Sequence, residues 1–285
     1  MLVARGCNPI FVDCLPDTSQ IDMADAARRI TPRTRGIAAT HIYGCPVDID
    51  AVQALAAKHK LAVIYDAAQA HLSTYKGKGI GAFGDVVTYS FYATKNLPTG
   101  EGGMVTVNSE TLARQIKLLR SHGETEKYLH EQVGYNYRLN DIAGAIGCSR
   151  LDRLLADTNA RRAAAARYDA ILAKIDGIDA MAITPGASSA YHLFSVKLDL
   201  NKVTCTRDEF IKLLDAEGVP SAVHYPRSLP QQPAFAKHIV GQEPCPVAAK
   251  MAASVLSLPM HHGLTDQHFA VVEEALRKVL AAVGK

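Results

Sequence analysis

Charge of one sign is scarce in this chain: 31 Lys and Arg against 28 Asp and Glu leave a net +3 over 285 residues. Such a balance supplies no basic stripe, which excludes nucleic acid as a partner. Long hydrophobic runs are missing as well. None reaches the length of a bilayer-spanning helix, so no membrane partner is expected. The opening MLVARGCNPIF lacks the basic end, long apolar centre and small-residue cleavage site of a signal peptide, and the expectation is a cytoplasmic protein. The six cysteines (Cys7, Cys14, Cys45, Cys148, Cys205 and Cys245) are scattered, without a C-x-x-C pair. This pattern argues against a zinc site, and the chain length argues against a disulfide framework, so no metal is expected. Tryptophan is absent; the remaining composition, 48% hydrophobic and 21% charged, is that of an ordinary soluble protein. The length suffices for a large core and sits near the size at which one core divides into two.

What is present first is an alternation of strands and helices. Residues 9–13 (PIFVD) read as a short buried strand, and Asp22 caps a helix over DMADAARRI. Residues 36–43 (GIAATHIY) form the next strand, and Asp48 and Asp50 open an amphipathic helix that runs through Lys60. Residues 61–65 (LAVIY) are too few for a helix and rich in strand formers; 86–92 and 104–108 add two more strands. Strands spaced by such helices pair in parallel through right-handed crossovers, with helices covering both faces. From Leu139 to Ile175 the chain is proline-free and rich in Ala, Leu, Arg and Asp at helical period, which predicts one long helix or a bent pair. Gly177, Pro185 and Gly186 then punctuate it. A smaller strand-and-helix unit follows, with YHLFSVKL, a helix from Arg207, SAVHYP, and closing helices near 246–256 and 265–284. The expectation is an α/β chain of two domains, 1–160 and 161–285.

The stretch SFYATKNLPTGEGG (90–103) places a single lysine, Lys95, at the mouth of a buried strand. A lysine desolvated at a strand end becomes a nucleophile, whereas one left to itself belongs on a solvated face. Asp66 ends the strand in LAVIYDAAQAH, at the carboxyl edge where ligands of open α/β sheets gather; taken alone it would be a cap or turn residue. Together the two are what pyridoxal phosphate needs: an amine for a Schiff base, and a carboxylate that keeps the pyridine nitrogen protonated. Gly79, Gly81 and Gly84 in GIGAFG match G-x-G-x-x-G. The stretch before them is polar and the stretch after them is a strand, so they predict a loop rather than a nicotinamide-binding turn. No Walker phosphate loop and no H-E-x-x-H occur.

DAAQAH (66–71), SFYATKN (90–96), TGEGGMV (99–105), GYNYRLND (134–141), VHYP (223–226) and LSLPMHHGLT (256–265) resemble, in order, the DegT/DnrJ/EryC1/StrS family of pyridoxal-phosphate sugar aminotransferases. The resemblance covers essentially the whole chain. It implies the fold-type-I architecture: a mostly parallel large-domain sheet with helices on both faces, and a smaller C-terminal α/β domain. By the resemblance, Lys95 is the Schiff-base lysine that then shuttles the proton, and Asp66 is the partner of the pyridine nitrogen. Gln69 is the amide near the ring hydroxyl, and Ser90 is a phosphate ligand. Asn136 matches an asparagine that reaches the phosphate from the neighbouring subunit, which implies a homodimer with a shared active site. His192, His224 and Tyr225 fall where a nucleotide-sugar would meet the smaller domain, although buried hydrogen-bonded histidines would look the same. His71 reads as a packed histidine behind the site, and Arg161 and Arg162 as a solvated helix face. Some relatives carry histidine in place of the lysine and dehydrate sugars, so Lys95 points to amino transfer from an amino acid such as glutamate to a keto-sugar nucleotide.

One departure accompanies the match. Family members have a further segment ahead of the point where VARGCNPIFVDC begins. That segment supplies a small-residue turn at a helix N-terminus for the cofactor phosphate, and an aromatic ring that stacks on the pyridine. The expectation is either a fragment or misplaced start of a longer protein, or a shortened member with weakened cofactor binding. The alternative function is a catalytically impaired partner that lends residues such as Asn136 to a full-length subunit.

Overall fold

The computed structural model describes residues 2–285. In chain order the main elements are α1 (Met23–Arg29), β1 (Gly36–Thr40), α2 (Ile49–His59), β2 (Ala62–Asp66), β3 (Val86–Ser90), β4 (Gly103–Val107) and α3 (Glu110–Arg120). They continue with α4 (Asp141–Leu172), β5 (Ile178–Ala180), β6 (Phe194–Leu198), α5 (Arg207–Ala216), α6 (Pro246–Ser254), β7 (Val255–Leu258) and α7 (Asp266–Val283). Among the described residues, no helix is long and apolar enough to cross a membrane.

The chain divides into two compact units. The lysine-bearing unit comprises Arg35–Thr158 and Pro185–Ala190. Its four-stranded sheet has the order β1-β2-β3-β4, with the first three strands parallel and β4 antiparallel. Alternation along β1 and β2 turns Ile37, Ala39, Val63 and Tyr65 inward. Helix α2 closes the crossover between β1 and β2; Asp48 caps it by accepting from the Ala51 amide at 3.0 Å. All three parallel strands therefore end on the same edge, and Asp66 and Ser90 are the last residues of β2 and β3.

The C-terminal unit comprises Met1–Thr34, Asn159–Thr184 and Tyr191–Lys285. Its sheet, β7-β6-β5, is antiparallel throughout. Against it pack Phe210, Leu214, Phe269, Val272, Leu276 and Tyr168 in one apolar cluster. A Thr206–Glu209 capping box starts α5.

Two expectations differ from this arrangement. The first 34 residues group with the C-terminal unit rather than with the lysine-bearing one. Asp13 explains why: its carboxylate accepts from the amides of Val247 (3.0 Å) and Ala248 (2.7 Å), which satisfies the first turn of α6. Arg29 bonds Asp25 at 2.7 Å and also donates to the carbonyls of Glu243 and Pro244, at 2.7 and 2.9 Å. Residues 9–13 also form no strand. Their amides are taken by side chains instead: Phe11 donates to Gln242 Oε1 (3.0 Å) and Asp13 to Asp25 Oδ2 (2.7 Å). The stretch 139–175 resolves as the single helix α4, opened by Asn140, whose Oδ1 accepts from the Ala143 amide at 2.8 Å.

Candidate active site

Asp66, Lys95, Gln69 and Ser90 follow or end the parallel strands β2 and β3 on their carboxyl side. Asp66 is exposed there, and its Oδ1 accepts from the Ala68 amide at 2.9 Å, which fixes the first turn of the chain beyond β2. The Ala67 amide donates to Thr88 O at 2.8 Å and holds that turn against β3. Lys95 lies in the loop after β3 and is half-buried. Burial pushes its ammonium below the ordinary lysine range, while the Asp66 carboxylate works in the opposite direction. Two neighbouring parallel strands thus bring an amine and a carboxylate into one field.

The loop that carries Lys95 is held from both ends. The Lys95 amide donates to Tyr92 O (2.9 Å), Thr99 N–H to Phe91 O (2.8 Å), and Phe91 N–H to Gly102 O (2.8 Å). Thr99 Oγ1 donates to Glu101 O at 2.7 Å. Gly102 has φ +150°, and a Cβ there would stand 2.8 Å from Leu139 and 2.9 Å from Thr99 Oγ1. The glycine cluster after Lys95 is therefore a requirement of the return path to β4.

Gln69 is buried, and its Oε1 accepts from the Tyr43 amide at 2.6 Å. Ser90 is half-buried, with Oγ 3.3 Å from the Tyr92 amide that donates to it. His71 is also buried here, among the rings of Tyr89 (5.5 Å) and Phe91 (5.9 Å). Burial first, and the Lys95 charge second, push His71 down to about 4, against a smaller contribution from the Ser90 backbone. Neither of its ring nitrogens has a hydrogen-bond partner of good geometry. A lone histidine between Ala70 and Leu72 reads in the sequence as packing, and nothing there signals two unanswered nitrogens.

Of the other predicted residues, Asn136 belongs to the lysine-bearing unit. Asn136 is exposed on a segment whose neighbours Tyr135 and Tyr137 stack at 4.9 Å, and its Oδ1 accepts from Arg138 at 3.4 Å. His192, His224 and Tyr225 belong to the C-terminal unit. His192 is buried, His224 Nδ1 lies 3.5 Å from Ser257 Oγ, and Tyr225 is exposed. Arg161 corrects its expected place on a solvated face: it is part-buried and donates to the carbonyls of Tyr191 (3.2 Å), His192 (3.3 Å) and Met260 (3.0 Å). The glycines of GIGAFG form a loop. A Cβ on Gly84 (φ +67°) would meet the Tyr65 ring at 2.9 Å, and the chain leaves this loop into β3 with no helix opening from it.

A partly desolvated amine, an opposed carboxylate and uncharged donors at one sheet edge suit an aldehyde cofactor with a basic ring nitrogen, so the residues present fit pyridoxal phosphate. Fold and site together define a fold-type-I pyridoxal-phosphate transferase. The model of the DegT/DnrJ/EryC1/StrS aminotransferase family matches residues 1–277, and the chain belongs to that family. It is 37% identical over 276 residues to the UDP-N-acetyl-3-dehydro-alpha-D-glucosamine 3-aminotransferase of Acidithiobacillus ferrooxidans, covering 96% of this chain and 72% of that one. It is equally 37% identical to the dTDP-3-amino-3,4,6-trideoxy-alpha-D-glucose transaminase of Streptomyces venezuelae, covering 96% and 71%. The crystal structure of S. venezuelae DesV in complex with a ketimine intermediate superposes with a TM-score of 0.91 at 36% identity, covering 98% of this chain and 74% of that one.

Proposed function

We propose that this chain transfers an amino group from an amino acid, with glutamate as the donor, to a keto-sugar nucleotide, with pyridoxal phosphate as cofactor and Lys95 as the reacting lysine. The observation that carries the reading is the desolvated Lys95 amine opposed by Asp66 on the adjacent strand end. Bound there, the cofactor supplies an electron sink for the carbon that loses a proton. Lys95 holds and moves that proton, and its depressed basicity brings it nearer to neutral pH, where a base works best. Asp66, anchored by the Ala68 amide, is oriented to keep a ring nitrogen protonated. Gln69, its carbonyl held by the Tyr43 amide, is assigned to the ring hydroxyl, and Ser90 to the phosphate. His192, His224 and Tyr225 are assigned to the nucleotide-sugar. The names of the similar proteins, which act on UDP- and dTDP-linked amino sugars, support this substrate class.

Asn136 requires a second subunit. The segment around it exposes Tyr128 (80%), Val133 (89%) and Ile142 (77%), apolar area that a homodimer would cover, with Asn136 reaching the partner's cofactor. Sedimentation should show a dimer that Ile142→Asp shifts towards monomer; a monomeric wild type would remove the shared site. A cytoplasmic place of action suits six cysteines that are all free.

The direct test is to add pyridoxal phosphate to the purified chain, reduce with borohydride, and map the labelled peptide. A label on Lys95 is expected, and Lys95→Ala should cut transamination by about 10^3-fold or more while the protein stays folded. Transamination that survives in folded Lys95→Ala would sink the reading. No observation favours a non-catalytic partner.

A further inference from the structure

Among the described residues, His71 alone has two buried side-chain polar atoms without a hydrogen-bond partner. Only 4% of the residue is exposed. Leaving such atoms unpaired is costly, and a gap between Tyr89 and Phe91 could be filled by a phenylalanine at no such cost. A histidine kept there needs a polar reason. Besides the Ser90 backbone, whose effect on the ring is the smaller, the group at hand is Lys95, whose charge acts on the imidazole. Both residues are tied to the same strand end. His71 packs on β3 through Tyr89 and Phe91, and the Lys95 loop closes back on Phe91 through the Thr99 amide at 2.8 Å.

We propose that His71 is a positioning residue for Lys95, one ring nitrogen accepting a hydrogen bond from Nζ whenever the amine is not covalently held by the cofactor. The role rests on the assignment of Lys95 as the cofactor lysine. Lysine must leave the cofactor when the amino donor arrives and must return afterwards, so between those events its amine needs a fixed resting place. An imidazole pushed down to about 4 stays uncharged at neutral pH. It therefore holds the amine without taking its proton, and it leaves the Asp66 carboxylate to the ring nitrogen.

The test uses the full chain without cofactor. The pH titration of the Lys95 Cε resonance, assigned by its loss in Lys95→Met, reports how well the ammonium is accepted. Asp66, the charged group facing the amine, raises this titration in all variants alike. In His71→Phe the midpoint should fall by about one unit, the effect of one hydrogen bond to a charged group, and His71→Asn should restore it. An unchanged midpoint in folded His71→Phe overturns the proposal. Should that variant not fold, the imidazole 15N shifts of wild type and Lys95→Met decide: a moved ring nitrogen supports the contact, and identical spectra overturn it. Neither measurement needs the cofactor. Absence of a pyridoxal-phosphate label on Lys95 would thus remove the functional reading separately from the His71–Lys95 contact.

Discussion

The two units treat buried polar groups differently. In the C-terminal unit several are answered within the fold, although Ser221 Oγ is buried without a partner. Tyr168 donates to Pro259 O at 2.7 Å, Ser195 and Ser257 share a hydrogen at 3.1 Å, and Arg207 donates to Ala252 O (3.2 Å) and Val255 O (2.6 Å). Around the parallel strand ends of the lysine-bearing unit, His41 Nε2, Tyr65 Oη and both nitrogens of His71 are buried without partners. The first arrangement stabilises a cluster that runs through Phe194, Phe210 and Leu276. The second keeps polar atoms available close to Lys95 and Asp66, at a cost in stability that the rest of the sheet must offset. The apolar cluster belongs to one unit, and the strand ends with Lys95 and Asp66 belong to the other.

Acidification should separate them most strongly. Burial lowers His41 to about 3 and His71 to about 4, so the folded protein refuses protons that the unfolded chain accepts near 6.5. Stability from these groups is complete above pH 6.5 and is lost as the pH falls towards 4, on the order of 3 kcal/mol for each. Hydrogen exchange should then show amides of β1–β3 losing protection while those of β6 keep theirs; the reverse order would break the contrast. Next in size, Phe210→Ala in the apolar cluster should cost about 3–5 kcal/mol in denaturant unfolding. A cost under about 1 kcal/mol would mean that the C-terminal unit is not the stable one. The smallest effect, about 1 kcal/mol, is expected for Tyr168→Phe, which leaves Pro259 O without its donor. A change near zero would show that water replaces that hydroxyl.

Much of the candidate site was legible because its residues sit where local rules operate. Asp66 follows an apolar strand, and Lys95 follows another and precedes a glycine cluster; strand periodicity and turn chemistry suffice to place both at one edge. The family resemblance, carried by six ordered motifs, extended this to Gln69 and Ser90. His71 reads as packing because a lone histidine between Ala70 and Leu72 looks the same whether or not its nitrogens are satisfied. Arg161 looked solvated because helical period alone does not show which carbonyls a distant segment will present.

By itself the sequence pointed to the α/β alternation, the parallel pairing of β1 to β3, a helix (single or bent) over 139–175, and a lysine and a carboxylate placed after apolar strands, since each follows from spacing along the chain. Tertiary structure alone decided that the first 34 residues belong with the C-terminal unit, because Asp13 and Arg29 find partners more than two hundred residues away, at Val247, Ala248 and the carbonyls of Glu243 and Pro244. It also decided that residues 9–13 pair with side chains instead of a strand, and that His71 is walled in with its nitrogens unanswered next to Lys95. Hydrogen bonding and burial are settled by which groups meet in space, and sequence distance carries no record of that.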